Sequence, residues 1–462
     1  MAEETRQLAQ FAANFTYEQI SAPVRSWALD ILVDQIGCEI GCSDLPWTKQ
    51  VRDTYRRIGG TPEATVVRFG DRLPVGSAAF INSTFGQAFE YDDLNPLVRG
   101  HPGAKLIPSL MAIAERDHHS GRDFLTAFVA AYEVRGHIGW ALSPEMMIRG
   151  GPHFGTTCGP FGVAAGVGKL LGLGPEGIAN ALGIAGTFSG GLMQYDHGGG
   201  SVKRIFCAVA ASSGIQAAQL AQAGITGPEG ILEGARGLLR IYCSEYRPER
   251  LVADLGKKWM IEYVAFKPYC VVGIIAAAID GLRKILAAND LKADEIESIE
   301  VGYPTSHYRH AAISSPHDLL GMQFSTSYSL ALTVLKGSNT PRDYTLEALA
   351  NEEVRAFASK VHVREDAELG KLFEGRLPAR VKLCARSGDV FEELVIDAKG
   401  SPGAPLSSAE IDDKFRSQVV DVLGAERCGE LVRVLRNIDA LDDMAKLPPM
   451  LVIGNEATKG RG

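Results

Sequence analysis

No C-x-x-C pair occurs among the 462 residues, and the eight cysteines have no histidine or cysteine partners at metal-ligand spacing. That excludes the common zinc and iron–sulfur frames. Cys38 and Cys42 lie one helical turn apart and read as buried thiols in a reducing compartment, so a cytoplasmic location is expected. No apolar run reaches about 18 residues, which leaves no candidate membrane span. The first residues, Met1 to Arg6, are acidic and lack the apolar core of a secretory signal. Positive charge is also short. Lys and Arg total 47 against 55 Asp and Glu, a net charge of −8, which disfavours nucleic acid as a partner. Neither G-x-x-x-x-G-K-[ST] nor a dinucleotide fingerprint stands at a strand–helix junction. No nucleotide, metal or other cofactor is expected.

What is present is a crowd of acids. Glu90-Tyr91-Asp92-Asp93-Leu94-Asn95-Pro96 follows the apolar run Ala78 to Ile81 and leads into Gly100-His101-Pro102-Gly103. Carboxylates packed this closely repel one another unless they are solvated or faced by a cation or proton donor. The segment is therefore a candidate acid–base site; the plainer alternative is a helix end running into a polar loop.

The length allows two domains, and 46% hydrophobic with 22% charged residues suits a large core. Val24, Trp27, Ala28, Ile31 and Leu32 recur at helical spacing. A small-residue helix is expected over 77–89, with further helices over 106–116 and 124–136. Residues 151–222 are rich in Gly, Ala and Ser and predict closely packed paired helices, with Pro160 at a first helical position. Thr65 to Phe69 reads as a short strand. Beyond residue 266 the pattern alternates: Ile296 to Val301, Lys360 to Arg364, and a hairpin from Arg380 to Ile396. Helical pattern resumes from Ser407 to Leu435, and Gly454 to Gly462 read as a frayed end. The expected fold is mostly α: a large all-helical domain (1–265 and 402–462) interrupted by a smaller α+β domain (266–401).

Six blocks in this order resemble the MmgE/PrpD family, which includes 2-methylcitrate dehydratase and cis-aconitate decarboxylase. They are Phe89 to Asp93 with Gly100 to Gly103; Pro152-His153-Phe154-Gly155; Ser201-Val202-Lys203-Arg204 with Thr226 to Gly234; Phe266-Lys267-Pro268-Tyr269; Phe324 to Tyr328; and Gly400 to Leu406. The resemblance spans nearly the whole chain. It implies that the α+β domain is a lid, that the protein is a homodimer, and that the chemistry is dehydration, decarboxylation or epimerisation of small di- and tricarboxylates without an iron–sulfur cluster. The chain also departs from the family. Glu90 stands where Asp is usual, Gln87 where His is common, and Leu94 for Thr. Phe206 and Cys207 replace a His and a small residue. Val271-Val272-Gly273 and Ala276 replace polar positions.

Removing a proton beside a carboxylate needs a base, and a donor or cation for the developing charge. On the strength of the resemblance, His153, Lys203, Glu90, Asp92 and Asp93 are the expected catalytic set, with His153 as base. Gln87, Arg99, His101, Lys267 and Tyr328 are expected to bind substrate. Tyr195-Asp196-His197 before Gly198 reads as a substrate loop. The leading functional reading is a 2-methylcitrate-dehydratase-like hydro-lyase. Epimerisation of an iminodisuccinate-like dicarboxylate and decarboxylation of the cis-aconitate type are alternatives. A silent carboxylate-binding homologue is the reading from outside enzymology.

Overall fold

A computed structural model describes residues 3–143, 146, 152–195, 200–373 and 376–453, without the side chains of Ser306 and Arg309. The chain forms two compact units. The first comprises Met1–Ala88, Asp92–Val264 and Ser407–Gly462; the second comprises Phe89–Tyr91 and Ala265–Leu406. The chain is mostly helical. No helix of the described residues is long and apolar enough to cross a membrane. The expected frayed end, 454–462, lies outside the described residues.

The first unit opens with α1 (Glu4–Asn14), α2 (Ala22–Gly41), α3 (Pro46–Ile58), α4 (Val75–Gln87), α5 (Gly103–Arg116) and α6 (Gly121–Leu142). It continues with α7 (Phe154–Leu170), α8 (Pro175–Ala185) and α9 (Phe206–Gln222). Helix α7 is its centre. Every residue except Lys169 is buried, and α5, α6, α8 and α9 all pack on it. The small residues make this possible: a Cβ on Gly162 would stand 2.5 Å from the Arg135 Cβ of α6. Helix backbones this close need glycine at the contact, although each interior glycine costs roughly 1 kcal/mol of helix propensity. Pro160 lies inside α7 rather than at its start, because His153 caps the helix seven residues earlier. Proline has no N–H for the Thr156 carbonyl, and that carbonyl accepts from the Gly190 N–H at 3.5 Å. The expected strand from Thr65 is nearly absent. Only Ala64–Thr65 (β1) pairs, with Arg72–Leu73 (β2), since Arg68 and Gly70 both turn to positive φ.

The second unit contains a four-stranded sheet of β3 (Ile296–Tyr303), β4 (Val361–Glu365), β5 (Ala379–Ala385) and β6 (Val390–Val395), in the order β4-β3-β5-β6. β3 runs parallel to β4 and antiparallel to β5, while β5 and β6 form the hairpin. Ile299, Val301, Val381 and Leu383 are fully buried. Helix α10 (Ala276–Asn289) packs on β5 and β6. Helix α11 (Thr326–Lys336) carries Tyr328.

The chain then returns to the first unit as α12 (Ser408–Leu423) and α13 (Ala425–Arg436), separated by Gly424 at φ +80°. Both pack on α2. Asp30 of α2 pairs with Arg436, Arg25 with Asp439, and Asp34 with Lys414.

Candidate active site

The acid segment ends in a tightly bonded turn. Asp93 accepts the Gly103 N–H at the start of α5, 3.0 Å to Oδ1. Asn95 Oδ1 accepts from Leu97 and Val98, and its amide donates to Tyr132 and to the Met260 carbonyl. The fully buried Arg135 donates to the carbonyls of Val98 and Arg99. That holds Arg99 and Gly100 at φ +59° and +91°. The Arg99 side chain is half-buried, and burial lowers its proton affinity.

This turn aims His101, which is 7% exposed. Its Nδ1 lies 3.0 Å from Asp92 Oδ2 and 2.9 Å from the Asp93 carbonyl. Both partners are acceptors, so Nδ1 carries the proton and Nε2 is the basic atom of the neutral ring. Asp93 differs from Asp92 in role. Burial first, and the neighbouring Asp92 second, push its carboxyl up to about 7 against the help of the Gly103 hydrogen bond. Lys105 donates to the His101 carbonyl from beneath, and burial lowers its proton affinity. Cys207 Sγ stands 3.8 Å from the same carbonyl. The Cys207 N–H donates to Gln87 Oε1 at 3.0 Å. Gln87 Nε2 is buried without a hydrogen bond among the described residues.

His153 is held in the opposite sense. It is the N-cap of α7, and the Gly155 N–H donates to its Nδ1 at 3.1 Å. An amide N–H can only donate, so the neutral ring carries its proton on Nε2. The ring packs on Phe206 at 4.6 Å between centroids, and Tyr195 adds an edge at 6.3 Å. Phe206, which stands where the resemblance expects a histidine, is thus an apolar wall for His153. Lys203 lies in the 3-10 turn Ser201–Ile205 that leads into α9 and is 5% exposed. Its side chain is buried, not that of a solvated surface lysine. Its neighbour Arg204 donates to the Ala88 carbonyl and lies 3.8 Å over the Trp47 ring. Asp196 and His197 of the expected substrate loop lie outside the described residues.

The remaining expected residues belong to the second unit. Glu90 takes a left-handed φ of +55° and is buried. The preceding Phe89 carbonyl accepts from Gln323 Nε2 at 2.7 Å and Cys270 Sγ at 2.8 Å. Lys267 Nζ lies 3.2 Å from Glu90 Oε2, with both side chains buried. The Gly400 segment seats Lys267. The Phe266 N–H donates to the Gly400 carbonyl at 2.9 Å, and a Cβ on Gly400 would collide with the Phe266 carbonyl at 1.9 Å. Tyr328 is 7% exposed, near the start of α11.

Two family descriptions match the chain in tandem: the MmgE/PrpD N-terminal domain over residues 6–251 and the MmgE/PrpD C-terminal domain over residues 269–439. The chain belongs to the MmgE/PrpD family. Among curated MmgE/PrpD-like relatives, it is 28% identical to a cis-aconitate decarboxylase-like protein, oryM, of Aspergillus oryzae, over 96% of each chain. It is 25% identical to the cis-aconitate decarboxylase of Aspergillus terreus, over 97% of this chain and 95% of the other. It is 27% identical to the human cis-aconitate decarboxylase, over 82% and 80%.

Lys105, Arg135, Asp34 and Lys414 were not singled out from the sequence. For Lys414 a signal existed. It falls with Ile411, Phe415 and Val419 on the apolar face of α12, a position where a lysine needs a buried partner. Arg135 carried no comparable mark.

Proposed function

We propose that this protein is a cofactor-independent lyase that moves protons beside a carboxylate of a small polycarboxylate, in a dehydration of the 2-methylcitrate-dehydratase type. One observation carries the reading: two buried histidines are fixed in opposite proton states, one with a basic Nε2 and one with an Nε2–H. A hydro-lyase needs both, an acceptor for the carbon proton and a donor for the leaving hydroxyl. His101 is the base. Its Nε2 takes the proton α to the carboxylate, and Asp92 steadies the imidazolium that forms. His153 is the donor: its Nε2–H hydrogen-bonds to the departing oxygen, which leaves as water with the proton that His101 has taken. This reverses the sequence-based assignment of His153 as base, because the Gly155 N–H occupies the nitrogen that must hold the proton if Nε2 is to accept. Lys203, buried and cationic, balances the charge of the substrate carboxylate or the enediolate. Glu90 and Lys267 act as a pair, with Lys267 taking a remote carboxylate of the substrate. Gln87, with its amide fixed by Cys207, and Arg99 and Tyr328 are further donors to substrate.

Decarboxylation is the second reading, supported by the names of the relatives. Loss of CO2 leaves a carbanion that needs a proton donor but no base, a role for the His101 imidazolium beside Asp92. The chain is also inferred to work as a homodimer, as the family resemblance implies; sedimentation of the purified protein tests this. The deciding experiment is NMR in D2O with 2-methylcitrate, cis-aconitate and amino- or imino-dicarboxylates. Water loss with deuterium exchange at the α-carbon is the expected result. CO2 release from cis-aconitate selects the second reading, and exchange without net product selects an epimerase. Neither exchange nor product with any of them overturns the enzymatic reading.

A further inference from the structure

Asp34 sits where packing alone would favour leucine. Every residue of α2 from Ala28 to Ile40 is buried, and a carboxylate there is costly without a counter-ion. The counter-ion comes from the far end of the chain. Lys414 Nζ of α12 lies 2.6 Å from Asp34 Oδ1, with both side chains almost free of solvent. Helix α12 comes this close because α2 presents glycine to it. A Cβ on Gly37 would meet the Phe415 ring at 3.0 Å, and one on Gly41 would meet the Gln418 Cβ at 3.0 Å. Helix α2 also touches the acid turn: a Cβ on Gly103 would meet Asp93 Oδ1 at 2.6 Å and Ile31 Cγ2, one helical turn before Asp34, at 2.8 Å. Burial opposes the Lys414 charge, but Asp34, Cys38 and Asp92 together outweigh it and raise its proton affinity. Asp93 feels Asp92 and Asp34 in turn. Two buried carboxylates, Asp34 and Asp92, therefore draw on one cation from α12.

We propose that Lys414 is a positioning residue for His101: bonded to Asp34, its charge offsets the buried carboxylates so that Asp92 meets the Nδ1 proton of His101 as an anion. Only the functional consequence rests on the proton-transfer reading above. The other titratable and charged groups around this cluster are Cys38 and Cys42 of α2 and Lys105 of α5. Cys207 of α9, and Arg204 just before it, also face it. All of them stay in place in the variants. If the pair were only a clasp between α2 and α12, its loss would lower stability and leave the proton affinity of the Asp92–His101 pair unchanged.

The test titrates the ring resonances of full-length, 13C-histidine-labelled protein, with His101 assigned by the signal lost in His101→Gln. It needs no substrate, so its outcome is separate from that of the turnover assays. Removing a cation favours proton uptake, and removing an anion opposes it. Lys414→Met should move the midpoint of the pair upward by about one pH unit, roughly tenfold in proton affinity. Lys414→Arg should return it to the wild-type position, and Asp34→Asn should move it downward. Where Lys414→Met does not fold, the Asp34→Asn shift decides alone. Unchanged midpoints in the variants that fold, with lowered melting temperatures, overturn the proposal.

Discussion

His101 and His153 stand at the N-terminal ends of two helices packed on each other, α5 and α7, and both are nearly solvent-free. They differ in what faces Nδ1. Acceptors surround that atom in His101, whereas an amide donor faces it in His153. The far nitrogen's neighbour thus commits a buried histidine to taking a proton or to donating a hydrogen bond. The two surroundings also differ in kind. The His101 turn is built from charged side chains, several of them remote in sequence. The His153 cap is built from the Gly155 N–H two residues on and an aromatic wall.

The sharpest way to break this comparison is to delete each ring and follow the pH dependence of turnover. His101→Ala should lower kcat by about 10²–10⁴. What survives should lack the acid limb of the pH–rate profile, since that limb reports the base. His153→Asn should lower kcat and keep that limb. The same limb lost in both variants would mean that the two rings share one role. The next effect is smaller and concerns the second unit. Lys267→Ala should raise KM by about tenfold, the scale of one charge-assisted hydrogen bond, with a lesser fall in kcat. Equal falls in kcat and kcat/KM would make Lys267 a residue of the transition state.

The charged turn should also leave a mark on stability. Asp93 has its proton affinity raised from 3.8 to about 7 in the fold. Its contribution is therefore full below about pH 4 and lost as the pH rises to about 7, because the unfolded chain releases that proton first. Asn at 93 can still accept from Gly103 but has no proton to lose. Unfolding free energy of the wild type should therefore fall relative to Asp93→Asn between pH 5 and 7, by at most about 1.4 kcal/mol per pH unit. Parallel curves in urea titrations at the two pH values would show that Asp93 ionises normally. The smallest effect belongs to the cap. His153→Ala should cost about 0.5–2 kcal/mol of stability, and His153→Asn, which can still accept the α7 amide, much less. Equal losses would show that the ring acts in the fold by packing on Phe206 alone.

Much of the fold was legible because periodicity is local. The helices around residues 24–36 and 106–116, and the hairpin of β5 and β6, follow from spacing. Pro160 misled because an N-cap is recognised by its side-chain oxygen, and histidine does the same work here with a ring nitrogen. The strand at Thr65 failed because Arg68 adopts a positive φ that no propensity forecasts. For the site, the acids, His101, His153 and Lys203 were visible as motifs. The direction of proton flow was not, since it rests on which atom meets Nδ1. Nor was Asp34 visible as the partner of Lys414, because the apolar face of α12 calls for a buried counter-ion without showing which distant helix supplies it.

The clasp of α2 by the C-terminal helices bears on how the chain is made. Asp30 and its partner Arg436 are 406 positions apart. At roughly 5–20 residues per second, a ribosome needs about 20–80 s to bridge that gap. Throughout that interval the nascent α2 carries aspartates whose partners do not yet exist. The first unit therefore cannot complete the α2 side of its core as its own earlier helices emerge. It must wait, partly assembled, for the second unit to be synthesised, and that interval is when a chaperone has most to offer this chain.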